Sequence, residues 1–139
     1  MTLLGIISDT HGLFREEVVA ALGGCELIIH AGDVGSPMVL DRLRELAPVI
    51  AVRGNVDTAP WAQVLPETEV IRIASHSIYV LHDRSRLTLD PVDAGMAAVV
   101  FGRTCRWPTR ATVSCILIPA APVRALSPAH HRRAAARNE

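Results

Sequence analysis

No apolar run in this chain reaches the roughly 18 residues that a membrane-spanning helix needs, so no membrane partner is expected. The first strand-like run begins almost at Met1 and leaves no room for a signal peptide, which makes a cytoplasmic location the expectation. Cysteine is scarce. Cys25, Cys105 and Cys115 are odd in number and lack paired CxxC spacing, which argues against a disulfide framework or a structural zinc knuckle. Neither sign of charge is in surplus, with 14 basic and 14 acidic residues, so no nucleic-acid or anionic-membrane surface is implied. There is no internal repeat and no linker. What is present is 139 residues, half of them apolar, enough for one domain with its own core; association into a homo-oligomer stays an open expectation.

Three short β-branched runs, Leu3 to Ile7, Leu27 to Ile29 and Val49 to Val52, read as buried parallel strands. Between them, Phe14 to about Leu22 predicts a helix with Phe14, Val18, Val19 and Leu22 on one face, stopped by Gly23-Gly24. Ser36-Pro37 reads as an N-cap followed by proline at the first helical position, with Val39, Leu40, Leu43 and Leu46 as the apolar stripe and Pro48 as the stop. This strand and helix alternation predicts a right-handed parallel unit. Glu69 to Ala74 and Ser77 to Leu81 read as a hairpin added to it, Pro91 to Ala94 as a helical turn, and Ala97 to Phe101 and Thr112 to Ile118 as further strands.

The chemistry sits where the runs end. Ser8-Asp9-Thr10-His11-Gly12, His30-Ala31-Gly32-Asp33 and Arg53-Gly54-Asn55-Val56-Asp57 place carboxylate, imidazole and amide groups just after three successive strands, and side chains at such ends meet in one crevice. His82 closes a fourth run in the same way. Taken singly, each has an ordinary explanation: Asp9 and Asp33 as caps, Gly54-Asn55 as a turn, His82 as a core histidine. Five together at strand ends are hard to explain as turns. Donors of this mix suit Mn, Fe, Co, Ni or Zn better than Mg or Ca.

On these residues the chain resembles a known family. DTHG, HAGD, VRGNVD, the histidine of LHD and the strand and loop VVFGRTC are similar to the successive motifs of the calcineurin-like metallophosphoesterases, and most of all to the small YfcE-type phosphodiesterases. The resemblance covers residues 1 to about 118, the expected domain, and implies an α/β fold of the four-layer α/β/β/α type, a sandwich flanked by helices. It further implies two divalent ions of the Mn, Zn, Ni or Co class. Asp9 and His11 would hold one, Asn55 and His82 the other, with Asp33 bridging. The implied reaction is hydrolysis of a small phosphodiester by a water that both ions share, with Asp9, Asp33 and Asn55 at the reacting centre. Larger members of the family carry a histidine directly after the site asparagine; here that position is Val56.

Two positions depart from the family pattern. Its next motif is Gly-His-Thr-His, where this chain reads Gly102-Arg103-Thr104-Cys105. Cys105 could ligate a thiophilic ion. Arg103 cannot ligate, and could instead clamp substrate phosphate or turn to solvent. These departures leave room for an enzyme with two ions, a weakened one with a single ion, a catalytically silent protein-binding scaffold of the same fold, or a decayed gene product. Residues 119–139 are rich in Ala, Pro, Arg and His, with no periodic apolar face, and a disordered tail is expected. Members of the branch commonly continue with Leu-Asn-Pro-Gly-Ser-Ala-Gly-Pro-Arg, and loss of one base in the asparagine codon can turn that into the Leu117 to Arg124 segment. A frameshift near Ile118 that altered the closing strands is therefore a hypothesis, and resequencing the locus tests it.

Overall fold

The first three strands carry apolar side chains on both faces, and a sheet built from them has to be covered on both sides. The computed structural model describes residues 2–102 and, as backbone, 112–118. In it β1 (Thr2–Ser8), β2 (Leu27–His30) and β3 (Val49–Ala51) lie parallel, and β7 (Thr112–Ile118) runs antiparallel to β1, giving the order β3-β2-β1-β7. On one face, Ile7 and Ile28 pack against α1 (Glu16–Leu22) and α2 (Pro37–Arg44) through Val18, Leu22, Val39, Leu40 and Leu43. On the other, Leu4, Ile29 and Val52 meet Ile71, Ile78, Val80 and Val100 of a second sheet. Each such side chain, fully buried, contributes about 1.5–3 kcal/mol.

That second sheet is the one the α/β/β/α resemblance implies, and it corrects only the reading of the hairpin as an addition to the parallel unit. β4 (Thr68–Ile73) and β5 (His76–Leu81) form the anticipated hairpin, closed by a two-residue turn with Ala74 in the left-handed region at φ 53°. The hairpin does not extend the parallel unit. It joins β6 (Ala98–Phe101), which is parallel to β5, as a separate sheet of order β4-β5-β6. The reason lies in the pattern of β5, where Ile78 and Val80 bury against the first sheet's inner face rather than pairing at its edge. The result is an α/β sandwich, and α1 and α2 lie on the outer face of the first sheet.

Local signals explain most boundaries. Ser36 accepts from the Met38 N–H at 3.3 Å, and Pro37 occupies the first helical position, so α2 starts where its cap sits. α1 begins at Glu16, with Arg15 still extended, so Phe14 packs from the preceding loop. Val19, expected on the buried face, is exposed, because a helix of seven residues buries only Val18 and Leu22. Residues 90–96 form hydrogen-bonded turns, among them Met96 N–H to the Pro91 carbonyl at 2.8 Å. Two 3-10 segments, Pro60–Val64 and Arg84–Arg86, were not anticipated from the apolar pattern. No helix among the described residues is long and apolar enough to cross a membrane.

Candidate metal centre

Beyond the C-terminal ends of β1 and β2 the chain turns sharply, and the turns are built on unusual backbone. Asp9, His11 and Asp33 all have positive φ, at 59°, 48° and 56°. For residues with a side chain that conformation costs on the order of 1–3 kcal/mol each and persists only where the surroundings impose it. Here they do. His11 N–H donates to the Asp33 carbonyl at 3.0 Å, Gly12 N–H to Val34 at 2.7 Å and Asp9 N–H to Gly32 at 3.0 Å, lacing the two loops together.

Three buried side chains lock this arrangement. Asp57 accepts three backbone N–H groups from two loops: Val34 at 3.1 Å, Gly35 at 2.9 Å and Gly54 at 2.9 Å. His30 accepts from the Gly32 N–H through Nδ1 and meets Thr10 Oγ1 through Nε2 at 2.9 Å. The Thr10 hydroxyl itself donates to the Val34 carbonyl at 2.9 Å, so His30 must donate to it from Nε2 and accept at Nδ1. Burial, partly countered by the charges of Asp57 and Asp33, lowers the His30 pKa to about 4 and keeps this neutral tautomer.

Of the side chains expected at the site, those of His11 and His82 face Asp33. Its Oδ2 lies 3.2 Å from His82 Nε2 and 3.9 Å from His11 Nε2, while Oδ1 accepts from the Val56 N–H at 3.2 Å. His11 Nε2 is also 3.9 Å from Asp9 Oδ1, and it is buried with no hydrogen-bond partner. His82 donates from Nδ1 to the Ala31 carbonyl at 2.7 Å, which turns Nε2 toward Asp33 and toward Asn55 Oδ1 at 3.1 Å. A β-carbon on Gly32 or Gly102 would overlap the His82 ring, and one on Gly54 would overlap Asp33. These glycines are required for close approach.

Burial alone would depress the His82 pKa, but its bonds to Asp33 and the Ala31 carbonyl and the charges of Asp33 and Asp9 outweigh it and raise it to about 9. Burial would likewise raise the Asp33 carboxyl, yet the His82 and Val56 hydrogen bonds pull it below its usual value. A proton on His82 thus stands in for a cation among oxygens.

The donor set fits a metal on its own geometry. Ligand atoms of Asp9, Asp33 and His82 lie within 4.8 Å of one another, all three residues buried. Donors about 2.0–2.2 Å from one ion stand roughly 3–4 Å apart, the spacing found between His11 and its two carboxylates, too long for hydrogen bonds. Arg103 and Cys105 lie outside the described residues, as do 119–139. Asp83, next to His82, caps the 3-10 turn by accepting from the Ser85 N–H at 2.9 Å and hydroxyl at 2.7 Å. Sequence reasoning gave no role to Thr10, His30 or Asp57. The one available signal was that His30 ends an apolar run just as His82 does.

Comparison with known proteins identifies the family and the fold. A probable metallophosphoesterase of Methanocaldococcus jannaschii, MJ0623, is 36% identical over 115 residues, which are 73% of this chain and 58% of that protein, so the chain spans less than three fifths of that relative's length. Vps29 of Entamoeba histolytica, solved in complex with zinc, is 25% identical with a TM-score of 0.57, over 72% of this chain and 63% of that one. An archaeal phosphodiesterase structure shares the fold at 21% identity, TM-score 0.58, over 72% of both chains. Residues 2–110 match the calcineurin-like phosphoesterase superfamily domain, and with most of its length accounted for in this way the chain belongs to that superfamily.

Proposed function

We propose that this chain is a divalent-metal-dependent phosphodiesterase in which Asp9 and His11 hold one ion, Asn55 and His82 a second, and Asp33 stands between them. The observation that carries the reading is the position of Asp33 Oδ2, faced by the Nε2 atoms of both His11 and His82. When bound, such ions draw in the phosphoryl oxygens, lower the pKa of a coordinated water and hold it for in-line attack. The chain's own part is positional. Val56 N–H and Gly54 fix Asp33, the Ala31 carbonyl aims His82, and the laced loops keep all of them from relaxing.

In the reaction the water oxygen bonds to phosphorus, the ester P–O bond breaks, and the departing alkoxide takes a proton from solvent. Val56, half exposed beside Asn55, offers no acid for that last step. Diesters with good leaving groups are therefore favoured.

The test is to load the full-length protein with Mn²⁺ or Zn²⁺ and to compare an aryl phosphodiester with the matching monoester. Metal-dependent turnover favouring the diester supports the reading; absence of metal-dependent turnover of either overturns it. A second reading, a silent scaffold, is supported by the likeness to Vps29. Metal content separates them: two ions retained for the enzyme, one for a weakened site, none held tightly for a scaffold.

A further inference from the structure

Beside the Asn55 and His82 end of the metal centre opens a cleft of about 400 Å³. Its walls are the loops around the two 3-10 segments. One wall is strapped in place by Arg53, which donates to Gln63 Oε1 at 3.0 Å and Glu67 Oε1 at 3.1 Å, while its own N–H bonds the Pro66 carbonyl at 2.7 Å. The opposite wall carries Asp83 and Arg86. Small-molecule pockets are mostly apolar. In this one polar and apolar surface are about equal: Leu81, almost wholly buried, is the one aliphatic side chain among the described residues that line it, and Thr58, Gln63 and Thr68 add hydroxyl and amide groups.

The charges in the cleft are unequally committed. Asp57 is saturated by three backbone N–H groups, Glu67 is paired with Arg53, and Asp83 accepts both bonds from Ser85. Arg86 lines the cleft and makes no side-chain hydrogen bond or ion pair among the described residues. A guanidinium with no partner among the described residues, lining the same cleft as hydroxyl and amide groups, matches an anion on a polyol.

We propose that this cleft receives a sugar or polyol portion of the substrate that bears a phosphate, which Arg86 binds. The proposal rests on the phosphodiesterase reading for the word "substrate", but the binding it asserts does not need catalysis. Its test is a calorimetric titration of the metal-free, full-length protein with ribose 5-phosphate, ribose and inorganic phosphate. Ribose 5-phosphate should bind at least tenfold more tightly than either of the others. Arg86→Gln should weaken it at least fivefold, and Asp83→Asn, which keeps the cap on Ser85 but removes a competing charge, should tighten it about twofold. Opposite effects of two neighbouring exposed residues cannot come from misfolding. Equal binding of inorganic phosphate, no binding of ribose 5-phosphate, or identical affinity in Arg86→Gln would overturn the proposal. Because no metal is present, a protein that binds ribose 5-phosphate through Arg86 yet hydrolyses nothing when loaded would refute the phosphodiesterase reading and leave the cleft assignment standing.

Discussion

The loops that carry the metal donors and the loops that wall the adjoining cleft lie side by side, yet they are held by different physics. The donor loops turn on residues in left-handed backbone and are fastened by buried groups: Asp57 on three N–H donors, His30 and Thr10 on Gly32 and Val34. The cleft wall is fastened by side chains that are partly or largely exposed, with Arg53 at 23% and Glu67 at 58% relative exposure. In the first region a lost partner leaves a buried polar group unsatisfied, which is expensive; in the second, water replaces it. The lesson is a division of labour. Donor geometry is over-determined, whereas the surface that would select the substrate is free to change.

The largest test of that contrast is Asp57→Ala. It strands three backbone N–H groups in two loops, and the expected loss is about 4 kcal/mol, read from the urea midpoint. A loss no greater than that of a cleft-wall substitution would erase the distinction.

Next in size is the pH dependence of the metal-free protein. His30, lowered to about 4, binds its proton less readily folded than unfolded, so stability falls as pH drops from about 6.5 toward 4. His82, raised to about 9, works the other way: its contribution is complete below about pH 6.5 and is lost as pH rises through 9. Each limb is worth on the order of 3 kcal/mol, and denaturation at pH 4.5, 6.5 and 9 should show a maximum at the middle value. A curve that rises or falls throughout would mean that one of the two histidines is misassigned.

Thr10→Ala should cost roughly 1–2 kcal/mol, because it leaves His30 Nε2 and the Val34 carbonyl without their shared hydroxyl. Metal affinity should fall far less than in a donor variant, since Thr10 supplies no donor atom. Thermal unfolding with and without Mn²⁺ separates the two effects. Smallest of all, Arg53→Ala should change stability by less than about 1 kcal/mol. A larger loss would show that the cleft wall is structural after all.

How much of this was written in the sequence differs between the two regions. Strand ends were legible because apolar runs stop close to Asp9, His30, Asn55 and His82, and the loops leaving parallel strands at one sheet end share one crevice. The fasteners were not. Asp57 reaches Val34 across 23 positions and His30 reaches Thr10 across 20, and no local pattern encodes such pairs. Thr10 looked inert between two donors, although it is buried and doubly bonded. The hairpin was visible in the alternation, but its separate sheet was legible only through the family resemblance, since the same alternation suits an edge strand or a second layer. The cleft wall was least legible, because the 3-10 segments at Pro60–Val64 and Arg84–Arg86 have no hydrophobic period of their own.

The central claim is that Asp33 sits between donors that hold divalent metal. Equilibrium dialysis of the wild-type chain and Asp33→Asn against Mn²⁺ or Zn²⁺, with elemental analysis of the retained metal and circular dichroism to verify folding, tests it most directly. Wild type should retain metal, and folded Asp33→Asn should bind it at least roughly 100-fold more weakly, because the neutral amide cannot replace a carboxylate shared by His11 and His82. Equal metal content in the two folded proteins would contradict the account.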